Sequence, residues 1–399
     1  MKIRKTDFYV LLILLFPICN ILGGIAGYYD ELIGVFGIGS IAIRIIKKRL
    51  DKLERNITII LSVISIIGIV SNLFSGLIGN IFPILIDILW LWKIYVIFLL
   101  FRNIAKDRFI ESALRKLYKV SKIGIIAISM IAIIGEIIDI GVIDHSKDAI
   151  LGFGAYGFFW QNAIQTGWLL FGFLLIIALY CPDNKIFYKY LFISLIPILL
   201  TFSSLVYCWV FVEISLLIMI KENSKFHLWY IVFLAIGVGL FAINDLRVYF
   251  LADSVRMTFI RYAIVTANTF FPLGSGFATY GSEMAARYYS PLYSKYGWEN
   301  LWALGRNGKY LNDNFIASII GQFGWIGFVF YLILLYRLFS YFNTKKLNKI
   351  QRVTSVSTVI TLAVVMIGSA SAKSIMAGFV LATLGLYDAY RRSEYVDNV

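Results

Sequence analysis

Charge is scarce in this chain. Only 15% of its 399 residues are Asp, Glu, Lys or Arg, while 60% are hydrophobic. That excludes an ordinary soluble domain, because so little polar surface cannot cover a body of this size. Histidine is scarcer still, limited to His145 and His227, so a histidine metal cage is not available. The three cysteines, Cys19, Cys181 and Cys208, lie in or beside apolar runs without metal-ligand spacing and read as packing residues. No nucleotide or metal motif, internal repeat or low-complexity tract is present. The net charge of +14 would suit nucleic acid. Its basic residues, however, sit in short loops between apolar runs, as the positive-inside rule expects, so no nucleic-acid partner is expected.

What the chain does have is a succession of apolar runs of roughly 17–25 residues, enough to cross a bilayer as helices. The expected spans begin with residues 7–27 and a second that returns to the basic Lys47-Lys48-Arg49 loop. Further spans follow at 57–77, 81–101, 123–142 and 162–180. The block 187–220 holds two spans split at Thr201-Phe202-Ser203-Ser204, and 228–243 is the ninth. Residues 315–339, 353–368 and 375–390 complete the set. The fold class expected is an all-α polytopic membrane protein, one transmembrane domain over 1–399 with about twelve helices. Both termini lie on the side of the dense Lys/Arg loops. Residues 1–19 look like a signal peptide, but Ile18 is a poor cleavage residue and an uncleaved first helix is expected.

One stretch breaks the apolar pattern. Residues 244–312 read as a long external loop between spans nine and ten. Residues 244–308 carry Arg247, Arg256, Arg261, Arg287, Lys295 and Arg306 against Asp245, Asp253, Glu283 and Glu299. Such a surface suits an anionic ligand, since guanidinium groups clamp phosphate with two parallel hydrogen bonds. The plainer alternative is snorkelling to lipid phosphates. Arg287 follows Glu283 by one helical turn and is expected to pair with it. Arg256 and Arg261 would point to different faces of a helix. The turn Pro272-Leu273-Gly274-Ser275-Gly276 can bring backbone N–H groups to a phosphate. Tyr280, Tyr288, Tyr289, Tyr293, Tyr296, Trp298 and Trp302 are expected mainly in an interfacial belt, with sugar stacking as the second reading. Asp313, at the mouth of span ten, suits a helix N-cap and equally a general base acting on a hydroxyl. Within the spans, Asp87, Lys93, Glu136, Asp139 and Glu213 are functional candidates by default. Glu213 is the most isolated and is the residue a proton-coupled carrier would use.

The order of these residues resembles the O-antigen polymerase and ligase superfamily, the Wzy and WaaL type of bacterial surface-glycan enzymes. There, an arginine in the large external loop precedes a Pro-led G-x-G turn. Here Arg256 precedes Gly274-Ser275-Gly276 at a similar spacing. In ligases the loop closes with His-Asn before a helix containing E-x-G-x-x-G. Here Asp313-Asn314 is followed by Gln322, Gly324 and Gly327. The segment ending at Asn162 and the hairpin Leu200–Ser204 are similar to two further family patches, with Ser204 where arginine is common. Aspartate in place of the ligase histidine favours a polymerase.

The resemblance implies a metal-independent, cofactor-free glycosyltransferase in the bacterial inner membrane. It would join undecaprenyl-diphosphate-linked oligosaccharide repeat units at the outer leaflet. Arg256 would neutralise the diphosphate and Asp313 would accept the proton of the attacking hydroxyl. Arg261, Arg306, Gly274, Gly276, Asn314 and Asn162 would bind substrate, with Arg261 or Arg306 supplying the cation absent at Ser204. Partners implied are the lipid-linked substrates, the bilayer, and the flippase and chain-length regulator of the same pathway. The alternatives are a ligase of the same fold and a flippase or transporter.

Overall fold

The computed structural model describes residues 5–104, 109–138, 140–144, 154–160, 162–180, 183–220, 229–230, 232–233, 236–237, 254–306, 308, 310–344 and 347–397. The apolar runs form helices. These are α1 (Lys5–Leu22), α2 (Tyr29–Ile46), α3 (Lys52–Ser75), α4 (Ile81–Asn103) and α5 (Phe109–Ile137). A two-residue antiparallel pairing of β1 (Ile143–Asp144) with β2 (Ala155–Tyr156) comes next. Then come α6 (Ala163–Tyr180), α7 (Asn184–Leu200), α8 (Ser204–Met219) and α9 (Val255–Thr269). Two short helices, α10 (Glu283–Arg287) and α11 (Pro291–Lys295), lead to α12 (Phe315–Phe342), α13 (Lys349–Gly368) and α14 (Ile375–Asp397). Seven of these, α1, α3, α4, α5, α6, α12 and α13, are long and apolar enough to cross a membrane. The protein is therefore all-helical in character, and its apolar helices point to a multi-pass membrane protein. Each expected span except the ninth falls on a helix; most of the ninth, and Asp139, Arg247 and Asp253, lie outside the described residues.

Helix α14 packs against α4, α6 and α1 at the centre of the main core. At one end, buried Arg102 of α4 pairs with Asp51 at 2.6 Å, Glu54 at 3.2 Å and Asp388 of α14 at 2.6 Å. This network ties α3, α4 and α14 together at the basic end. Lys93, an intramembrane candidate by sequence, has a structural explanation. It reaches across to Asp30 at 2.6 Å and Glu31 at 2.8 Å on α2.

The opposite end holds the segment expected as an external loop. Its described residues, 254–306, 308 and 310–312, pack as a wedge against α3, α4 and α12. Helix α9 lies alongside the first part of α12 and runs in the same direction. Arg256 meets Asp313 where the two helices start, and Trp325 donates to Asn268 further along at 2.9 Å. The chain then turns against Gly324, where α12 is kinked at φ 62°, roughly 14 Å along the helix from Phe315. The kink frees helix carbonyls that would otherwise be paired within α12. Gly321 accepts from the Ser275 N–H at 3.0 Å, and Gln322 from the Gly276 N–H at 2.8 Å. Gly274 has φ 78°, and a Cβ there would meet the Gly324 nitrogen and lie 2.6 Å from the Gln322 carbonyl oxygen. Glycine is required on both sides of this contact.

The returning strand of chain is clamped by α3 and α4. Asn72 donates to the Phe277 carbonyl at 2.9 Å and accepts from its N–H at 2.8 Å. Ser71 and Ser75 donate to the Leu273 and Ser275 carbonyls at 2.7 and 2.8 Å. Asp87 accepts from the Ala278 N–H at 2.8 Å and from Gln322 Nε2 at 3.2 Å. Irregular backbone among apolar helices is costly unless its polar groups are paired, and these contacts pair it. Asp87 is thus the anchor of the turn. The buried ends of the wedge form a second, smaller core around Phe259, Tyr280, Tyr293 and Trp298.

Candidate functional site

Four consecutive residues at the start of α12, Asn312 to Phe315, each engage a different partner. Asn312 donates to Glu283 of α10. Asp313 pairs with Arg256, whose Nε and Nη2 both reach Oδ2, at 2.8 and 2.7 Å. Asn314 accepts from the Ala317 N–H at 2.9 Å and donates to the Ile367 carbonyl at the end of α13 at 2.7 Å. The ring of Phe315 lies under the ammonium of Lys373, 4.3 Å from its centroid. The first-named expectation for Asp313 is corrected by this geometry. Asn314, not Asp313, caps α12. Because the cap is supplied by its neighbour, Asp313 is left to face Arg256.

The pair is half-buried. The side chains keep 26% and 25% of their surface exposed, enough for a ligand to reach them. Burial pushes the Asp313 carboxyl above its ordinary value, and the positive charge and hydrogen bond of Arg256 pull it back part of the way. Both guanidinium contacts fall on Oδ2, so among the described residues no hydrogen bond is made to Oδ1. A raised carboxylate with one oxygen uncommitted, beside a fixed guanidinium, can accept a proton next to a bound anion.

The other expected site residues are placed differently. Asn314 is buried with its amide engaged at both ends, so it holds the loop rather than presenting a group. The N–H groups of Gly274 and Gly276 are taken by the Phe270 and Gln322 carbonyls, which gives the turn a packing role. Arg261 is exposed on α9, a little over one turn beyond Arg256. Arg306 is exposed, 3.6 Å from Glu299, with its guanidinium over the Tyr289 ring. Asn162 caps α6 by accepting from the Ile164 and Gln165 N–H groups at 3.1 and 3.2 Å. It makes no contact with the Arg256–Asp313 pair.

Two structural expectations are corrected. The Glu283–Arg287 pair does not form, because the Glu283 carboxylate is taken by Asn312. Tyr280, Tyr293 and Trp298 are fully buried, stacked among themselves and Phe259, and so face neither lipid nor sugar. Tyr288 and Trp302 remain exposed. Of the intramembrane acids, Glu136 accepts from the Gly154 N–H at 3.4 Å and Glu213 from Thr354 at 2.7 Å. Lys373 escaped sequence reasoning. It sits in a short Ser/Ala-rich turn, and only its position beside Phe315 marks it. Among the described residues, no group of three or more His, Cys, Asp or Glu could hold a metal ion.

Compared with known proteins, the chain matches no family model and no curated protein.

Proposed function

We propose that the chain is a polyprenyl-diphosphate-dependent glycosyltransferase, a polymerase of surface polysaccharide. It transfers an undecaprenyl-diphosphate-linked oligosaccharide onto another lipid-linked repeat unit at the outer leaflet of the bacterial inner membrane. The site end faces outward, both termini face the cytoplasm, and about twelve helices cross. The observation that carries the reading is the pairing of Arg256 with Asp313, residues far apart in sequence that the motif resemblance singled out together.

In this reading the diphosphate enters beside Arg256 and competes with Asp313 for the guanidinium. Neutralising its charge makes it a better leaving group as the glycosidic bond to the carrier breaks. Asp313 then takes the proton from the acceptor sugar hydroxyl as that oxygen bonds to the anomeric carbon. Asn312 and Asn314 hold Asp313 in register from either side. No cofactor is assigned. The test is polymerisation by the purified protein from purified lipid-linked repeat unit, without added metal or nucleotide. A ladder of lengthened products is expected; unchanged single units overturn the reading.

One rival keeps a specific observation. Glu213 is buried, with Oε1 bonded to Thr354 and Oε2 without a partner among the described residues, as a carrier's proton site would be. In a deletion strain, a carrier predicts substrate retained on the inner leaflet, and the polymerase predicts single-unit glycan outside. A ligase predicts unattached polymer.

A further inference from the structure

Among the described residues Lys373 has no ion-pair partner, and its ammonium stands over the first residue of α12. It lies in the turn between α13 and α14, partly buried. Its ammonium rests over Phe315, two residues from Asp313. Among the described residues it makes no hydrogen bond or ion pair through that ammonium. The charges that act on it are Asp87 and Lys93 from α4 and Glu283 from α10, none within ion-pair distance. In the same turn the Ser371 hydroxyl is buried without a hydrogen-bond partner among the described residues. The turn is fixed to the site by the bond from Asn314 to the Ile367 carbonyl at the end of α13. A cation withdrawn from water and left unpaired is costly, and an anion arriving there would offset that cost.

We propose that Lys373, with the Ser371 hydroxyl, binds the diphosphate of the polyprenyl carrier opposite Arg256, as a second anionic-ligand contact of the same site. This rests on the glycosyltransferase reading. Arg256 meets Asp313 from α9 and Lys373 meets Phe315 from the α13–α14 turn, so a diphosphate spanning those two positions would meet both. Asp87 and Glu283 keep Lys373 from standing in a purely positive field. Burial nevertheless pushes its ammonium down to about 8, close to where the charge is lost. The contact is therefore present at neutral pH and fades as pH rises through that value.

Binding of farnesyl diphosphate to the full-length protein in detergent tests this, with farnesol as the uncharged control. Lys373→Met is expected to weaken farnesyl diphosphate roughly 10- to 100-fold, the loss of one charge-assisted contact, and to leave farnesol unchanged. Wild-type affinity is expected to fall above about pH 8, and Lys373→Arg to bind while abolishing that fall, because guanidinium stays charged. The Arg variant decides the matter if the Met variant does not fold. An unaltered affinity in Lys373→Met, or an alkaline fall that survives in Lys373→Arg, overturns the assignment. Equal competition by short-chain phosphatidylglycerol assigns Lys373 to lipid headgroups instead and also overturns it. A wild-type protein that binds no farnesyl diphosphate removes the glycosyltransferase reading, and this contact with it.

Discussion

The Arg256–Asp313 pair can be a brace or a working site, and reversing its charges separates the two. Both side chains keep about a quarter of their surface exposed, at 26% and 25%. A pair so placed contributes only about 0.2–1 kcal/mol to stability. Asp313→Ala should therefore shift the melting temperature by no more than about 2–4 °C. The chemistry asked of them is much larger. Loss of a general base costs on the order of 10²–10⁴ in rate, and loss of a donor to a developing anion on the order of 10²–10³. Polymer length, read on gels from purified lipid-linked repeat unit, should collapse to single units in Arg256→Ala as in Asp313→Ala. The double variant Arg256→Asp/Asp313→Arg restores an ion pair between the same two helix starts. If the pair is a brace, it recovers both melting temperature and polymer. If the pair works on substrate, only the melting temperature recovers, because the cation and the base now stand on the wrong sides. A full ladder from the swapped protein, or from either alanine variant, would refute the site.

Four further outcomes follow from the geometry. Gly274→Ala should cost roughly 1–2 kcal/mol from its left-handed backbone alone, and more from the clash with α12, seen as lost folded protein in size-exclusion profiles. Asp87→Ala should lower thermal stability by about 1–3 kcal/mol, because the Ala278 N–H is left without an acceptor while Gln322 Nε2 keeps the Tyr280 carbonyl; an unshifted melt refutes its role as anchor. Trp298→Ala should cost about 3–5 kcal/mol, whereas Trp302→Ala, 84% exposed, should stay within about 0.5 kcal/mol; the reverse order would mean that the aromatic core is wrong. Because burial raises the Asp313 carboxyl, its base form is lost as pH falls through that raised value. The acid limb of the rate profile should then lie above the ordinary carboxylate range, and a limb within or below that range would exclude Asp313 as the base.

The helices were legible because an apolar run long enough to cross a bilayer has few other ways to pair its backbone. Arg256 and Asp313 were named together by the motif resemblance, and the structure shows that they meet. The wedge was not. Its polar opening and its Pro-Gly turn are also what a solvent loop looks like. What buries it is supplied by Asn72, Asp87 and the kinked carbonyls of Gly321 and Gln322, from three distant helices. Local pattern cannot assemble such partners. The aromatics failed for a related reason: a tyrosine suits a core, a membrane belt or a sugar platform equally well until its neighbours are known. Asn314 and Asp313 are both good caps by type, and only the backbone decides which one serves.

Helices α9 and α12 start together at Arg256 and Asp313, and the same number of residues carries each to the Asn268–Trp325 contact. They behave as matched rails. Adding one residue to α9 between these contacts would turn the two ends about 100° relative to each other and advance one by about 1.5 Å, breaking one contact to keep the other. The exposed turn at Leu301 and Trp302 lies outside both contacts and bears no such constraint. Length variation among natural versions of this protein should therefore collect there and be excluded from the rails, a pattern of permitted and forbidden insertions set by geometry alone.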